Sequence, residues 1–108
     1  MEEVYLVTGA SKGLGKAISE SLVNDKRVVI ALARGSDELS SVEKSLKSKN
    51  QNSMIIECDL SDKNSISEAC NLIKNRFTHL SGIVHNAGTI QPISKLLESN
   101  NQEWTRAI

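Results

Sequence analysis

Apolar residues follow two alternating rhythms along this chain: short, nearly continuous runs, then longer stretches in which they recur three or four positions apart. The runs at residues 4–7, 28–33, 54–58 and 82–85 predict strands, and the middle two are apolar at nearly every position, as in strands buried on both faces. Between them, Leu14, Ala17, Ile18 and Leu22 form one helical stripe, Leu39, Val42 and Leu46 a second, and Ile66, Ala69, Cys70, Ile73 and Phe77 a third. Ser36 and Ser61 stand where N-caps of the second and third helices are expected. Asn100 with Glu103 reads as a capping box opening a last helix through Trp104 and Ile108.

Strands that alternate with helices need crossovers, and crossovers between parallel strands are right-handed in nearly all cases. The expected architecture is therefore an α/β fold: a parallel sheet of order 3-2-1-4 with helices on both faces. With 108 residues, 39% hydrophobic and 24% charged, and neither a repeat nor a linker, the chain is expected to form one core over residues 1–108.

Thirteen basic and thirteen acidic side chains cancel, so no diffuse field draws the chain to nucleic acid or to anionic lipid. No apolar run reaches the roughly 18 residues of a membrane span, and the acidic start Met1-Glu2-Glu3 is unlike a signal peptide. A cytoplasmic location is the expectation. Cys58 and Cys70 lie at a strand end and on a helix stripe, without metal-site spacing, and read as reduced core thiols.

The candidate chemistry begins directly after the first strand, in Thr8-Gly9-Ala10-Ser11-Lys12-Gly13-Leu14-Gly15. A glycine triplet alone is a weak signal. Wedged between a buried strand and an amphipathic helix it has mechanical uses: Gly9 turns the chain, Gly13 admits a pyrophosphate to the backbone, and Gly15 lets the helix pack close. The helix starting near Leu14 would aim its unpaired N–H groups and dipole at that anion. The same glycines would also serve a tight turn that binds nothing.

The spacing Thr-Gly-x-x-x-Gly-x-Gly near a chain start resembles the signature of the classical short-chain dehydrogenases. Cys58-Asp59-Leu60 after the third strand and Asn86-Ala87-Gly88 after the fourth match two further motifs of that family, in the right order. The resemblance implies an N-terminal part of a single NAD(P)-binding Rossmann domain, and the stretch Val4-Tyr5-Leu6-Val7-Thr8 with Ala31-Leu32-Ala33-Arg34 looks most like the benzil reductase or sepiapterin reductase-like branch. It implies that Asp59 holds the adenine amino group with the Leu60 amide on the ring, and that Asn86, Ala87 and Gly88 steady the sheet beside the cofactor ribose. Asp59 also reads as a plain turn or cap residue. Many members carry two asparagines where this chain has His85-Asn86, and His85 is expected to be a hydrogen-bonded core histidine with no catalytic role.

At the end of the second strand, where an acidic residue would bind the ribose hydroxyls of NAD, stands Arg34. A guanidinium grips a 2′-phosphate with two charge-assisted hydrogen bonds, so NADP is expected ahead of NAD. Lys12 before the second glycine supports the same phosphate by resemblance, and Ser11 adds a hydroxyl. The alternatives are a solvated Lys12 and an Arg34 paired with Asp37 or Glu38.

The family transfers hydride between NADP and a small-molecule carbonyl or alcohol with a Tyr-x-x-x-Lys motif, an upstream serine and an asparagine. None of these is present in the 108 residues, and Tyr5, the single tyrosine, lies on the first strand. The expectation is a C-terminally truncated, cofactor-binding half of an oxidoreductase, inactive by itself, with neither catalytic nor metal-binding residues. The open edge of the fourth strand would invite association between copies. The other reading is a non-catalytic nucleotide-binding or interaction module.

Overall fold

A computed structural model describes residues 2–10, 13–34 and 38–86. Among these residues seven elements follow one another: β1 (Glu3–Thr8), α1 (Gly13–Leu22), β2 (Arg27–Ala33), α2 (Glu38–Lys49), β3 (Met54–Glu57), α3 (Lys63–Arg76) and β4 (Gly82–Val84). The strands are all parallel and lie in the order β3-β2-β1-β4, the order the sequence predicts. In register, Leu6 faces Ile30 on β2 and Ile83 on β4, while Ile30 faces Met54 on β3.

Period-two alternation sends neighbouring side chains to opposite faces, and the sheet separates two cores accordingly. On one face Leu6, Ile30, Leu32 and Ile56 pack with Ile66, Ala69, Cys70 and Ile73 of α3. On the other, Val7, Val29 and Ala31 pack with Val42 and Leu46 of α2 and with Ile18 and Leu22 of α1. At about 25 cal/mol per Å² of apolar surface, each fully buried Val, Leu or Ile stabilises by roughly 1.5–3 kcal/mol, and among the described residues eleven large side chains are this deeply buried.

The α2 and α3 stripes lie in the cores as expected, but α1 differs. Leu14, in the expected stripe, is 68% exposed, and Ala17 is exposed too. The buried positions are Gly15 and Ser19, with Ile18 and Leu22 partly covered. The helix lies so near the end of β1 that only small residues fit beneath its first turns, and the Ser19 hydroxyl is satisfied by donating to the Gly15 carbonyl at 2.9 Å.

Asp62, in place of the expected Ser61, caps α3: its side chain accepts from the Asn64 N–H, while Ser61 donates to Asp59. β4 ends at Val84, one residue short of the expected end, and among the described residues pairs with β1 alone. Cys58 and Cys70 are both buried free thiols, as expected. Ser36, Asp37, Asn100, Glu103, Trp104 and Ile108 lie outside the described residues, as does the side chain of Glu38. No described helix is long and apolar enough to cross a membrane.

Candidate functional site

In a parallel sheet all strands end on one side, so the residues after Thr8, Ala33, Glu57 and Val84 share one rim. The chain runs outward from β1 to β3, then returns to place β4 on the other flank of β1. The gap between the carboxyl ends of β1 and β4 is thus the switch point, where open α/β sheets bind ligands. Gly9 and Asn86 flank it.

Gly9 and Gly13 adopt φ of +62° and +63°, the left-handed region that a side chain disfavours. The Ala10 N–H donates to the Leu32 carbonyl at 3.2 Å, tying the turn to β2. A Cβ on Gly15 would strike the Gly9 carbonyl oxygen and lie 2.7 Å from Asn86 Nδ2. A Cβ on Gly13 would meet nothing within 4 Å. The two glycines therefore do different jobs: Gly15 admits the protein's own backbone, and Gly13 leaves open space ahead of the helix.

From the other side of the gap, Asn86 donates its backbone N–H to Thr8 Oγ1 at 3.0 Å and its side-chain Nδ2–H to the Gly9 carbonyl at 3.2 Å. This is the strand-tying role expected of Asn86. His85 departs from expectation, since it is exposed at the rim while its Nδ1 lies 3.4 Å from Thr8 Oγ1. The strand has already ended at Val84, which frees the ring from the core.

About two strands away lies an open cleft of about 480 Å³ lined by Arg34, Glu57, Cys58, Asp59 and Ser65. Arg34 is exposed and makes no ion pair with another described residue. Asp59 Oδ1 accepts from the Ser61 hydroxyl at 2.7 Å and the Ser61 N–H at 3.0 Å. These bonds, with the Arg34 guanidinium, hold its carboxyl below the usual carboxylate range. The Asp59 N–H donates to Ser65 Oγ at 2.9 Å, and the Cys58 N–H to the Ala33 carbonyl at 2.8 Å.

Burial pushes the Cys58 thiol up, partly offset by a hydrogen bond with Ser65, and pushes Cys70 up to about 11. Burial thus favours the protonated thiol over the nucleophilic thiolate at both positions. No described group of three or more His, Cys, Asp or Glu residues is arranged to hold a metal ion.

Of the residues predicted for cofactor binding, Gly9, Gly13, Leu14 and Gly15 meet at the turn with Asn86, and Arg34 and Asp59 share the cleft. Leu60 follows Asp59 and leans on the α3-side core. Ser11, Lys12, Ala87 and Gly88 lie outside the described residues. Sequence reasoning gave Ser61 a capping role, whereas it holds Asp59, and overlooked Ser65, which also bonds Asp59, and the side chain of Thr8. A threonine ending an otherwise apolar strand was the available signal for Thr8.

The family model for short chain dehydrogenase matches residues 3–108. An NADPH-dependent pterin aldehyde reductase of Arabidopsis thaliana is 32% identical over 99 residues, spanning 92% of this chain and 40% of that protein. A benzil reductase ((S)-benzoin forming) of Saccharomyces cerevisiae is 27% identical over 112 residues, spanning 98% and 42%. Among solved structures, a variant of actinorhodin polyketide ketoreductase with NADPH shares the fold at a TM-score of 0.79 and 22% identity, covering 91% of this chain and 47% of that one. The chain thus spans about two fifths of the length of the curated relatives it matches. With that family model matching nearly the whole chain, the chain belongs to the short chain dehydrogenase family.

Proposed function

We propose that this chain forms the nucleotide-binding part of an NADP-dependent oxidoreductase that reduces a small-molecule carbonyl or oxidises the matching alcohol. The observation that carries the reading is Arg34, an exposed guanidinium across one cleft from Asp59. A 2′-phosphate is a dianion that a carboxylate at position 34 would repel and a guanidinium can hold in two parallel hydrogen bonds.

The residues fit a dinucleotide at both ends. Open space over Gly13 admits a pyrophosphate to the first turn of α1, whose leading N–H groups have no partner within the helix. Asp59, held as a carboxylate, keeps an acceptor for an exocyclic amine on a base lying in the cleft. A bound nicotinamide cofactor supplies the hydride; these residues bind and orient its adenosine end. The Arabidopsis relative is NADPH-dependent by name and reduces an aldehyde, which supports both the cofactor and the substrate class. A cytoplasmic location accords with two reduced, buried thiols.

Titration of the purified chain with NADPH, NADH and adenosine 2′-phosphate tests this reading. Tighter binding of NADPH than NADH is expected, with Arg34→Glu weakening NADPH alone. Equal affinities that the substitution leaves untouched would overturn the NADP assignment.

A further inference from the structure

Thr8 is fully buried at the end of β1, and its hydroxyl carries one proton and two lone pairs. The Asn86 backbone N–H, which can only donate, takes one lone pair at 3.0 Å. The hydroxyl proton must then find an acceptor, because an unpaired donor away from water is costly. Among the described residues the group within reach is His85 Nδ1 at 3.4 Å. That nitrogen can accept only when it is unprotonated, which makes His85 the Nε2–H tautomer. The opposite arrangement, with Nδ1–H donating to Thr8, leaves the buried hydroxyl proton with no partner among the described residues.

Thr8 is also the hinge of the clamp across the switch point. Its Oγ1 holds the Asn86 backbone, the Asn86 side chain holds the Gly9 carbonyl, and that carbonyl lies beneath Gly15, where α1 meets the turn. Rotation of the Thr8 hydroxyl would loosen the anchor of Asn86 and, through it, the peptide plane that directs the phosphate turn.

We propose that His85 is a positioning residue of the nucleotide site: its Nδ1 accepts the Thr8 hydroxyl proton and so locks the Thr8–Asn86–Gly9 clamp that shapes the glycine turn. The role needs an acceptor at the Nδ1 position and nothing else of the imidazole. An asparagine at 85 can place its Oδ1 there; a leucine of similar bulk cannot. The inference rests on the nucleotide-binding reading, and its test separates the two.

Two measurements decide it. Long-range ¹H–¹⁵N NMR of the ligand-free chain at pH 7.5 reads the tautomer directly, and the His85 Nδ1 signal is expected in the unprotonated range; a protonated Nδ1 overturns the proposal. NADPH titration of wild type, His85→Leu and His85→Asn then reads the consequence. Leucine is expected to weaken binding about threefold to tenfold, the worth of one hydrogen bond, and asparagine to restore it to within about twofold. His85→Leu, which leaves the buried Thr8 hydroxyl proton unpaired, should lower the unfolding midpoint by a few degrees while the chain stays folded at the titration temperature, and His85→Asn should keep the wild-type midpoint. A wild type that binds NADPH, with leucine equal to it or asparagine as weak as leucine, overturns the positioning role alone. A wild type that binds no nucleotide overturns the nucleotide reading and this inference together, whatever the tautomer.

Discussion

The glycine turn and the Arg34–Asp59 cleft sit on the same rim of the sheet and are built by opposite means. The turn is made by missing side chains: Gly15 because the Gly9 carbonyl occupies the place of its Cβ, Gly9 and Gly13 because their φ is positive. The cleft is made by charged side chains held at the surface by short polar contacts, with Ser61 on Asp59 and Arg34 alongside. Steric constraints tie the turn to the stability of the fold, so it tolerates little. Solvated charges are coupled weakly to folding, so the cleft can be retuned without cost to the core. On the proposed reading, a site divided in this way would keep its phosphate end fixed while its specificity end stayed adjustable.

The sharpest way to break that contrast is Gly15→Ala. Its methyl group has nowhere to go without moving α1 off the sheet, and overpacking of this kind costs about 3 kcal/mol. In a domain of this size that lowers Tm by about 15 °C, readable by circular dichroism; an unchanged Tm would show that the helix can retreat freely. Arg34→Glu comes next and should leave Tm unmoved. Loss of a bidentate charge-assisted contact weakens NADPH by about 2–3 kcal/mol, roughly 30- to 150-fold, with NADH changed by less than about threefold. A fall in Tm instead would mean that Arg34 is structural.

Gly13→Ala falls between the two regions. The space is open, so its cost is the left-handed backbone alone, about 1 kcal/mol. A loss of NADPH affinity larger than the loss of stability would mark Gly13 as the point where the ligand meets the backbone. Ser61→Ala should have the smallest effect. The Asp59 carboxyl, freed of the Ser61 hydroxyl but still held by the backbone N–H of residue 61, should titrate closer to its ordinary value of about 3.9, followed by ¹³C NMR. Because folding lowers that value, Asp59 stabilises the native chain above the unfolded value and loses the contribution as pH falls through the folded one. Asp59→Asn should therefore flatten the acid limb of the stability profile. The buried thiols give a control on the core: Cys70, pushed up to about 11, should resist alkylation at pH 8 until the chain is unfolded.

Strand order, the faces of α2 and α3, and the clustering of Gly9, Gly13 and Gly15 with Asn86 were legible because each follows from a short-range rule: periodicity for the faces, crossover handedness for the order, glycine spacing for the turn. The face of α1 was not. Leu14, Ala17, Ile18 and Leu22 make a convincing stripe, yet the turn next to Gly15 dictates how the helix lies, and Leu14 ends in solvent. Asp62 took the cap expected of Ser61 because Ser61 was already engaged by Asp59, a competition that depends on the path of the turn. His85 was misread as a core residue because β4 ends one residue earlier than its apolar run implied.

The sequence by itself determined that the chain is a parallel α/β sheet with a glycine turn after its first strand, because hydrophobic period and backbone permissiveness are written residue by residue. It also determined the charge at position 34, which no packing can alter. Only the tertiary structure decided that the buried Thr8 hydroxyl is shared with His85 and Asn86, 77 and 78 positions further along the chain, and that Arg34 and Asp59 line one cleft. Those contacts cross the sheet between strands that are distant in sequence. Hydrogen-bond partners at such distances are fixed by register and strand ends to within one residue, which local patterns do not resolve.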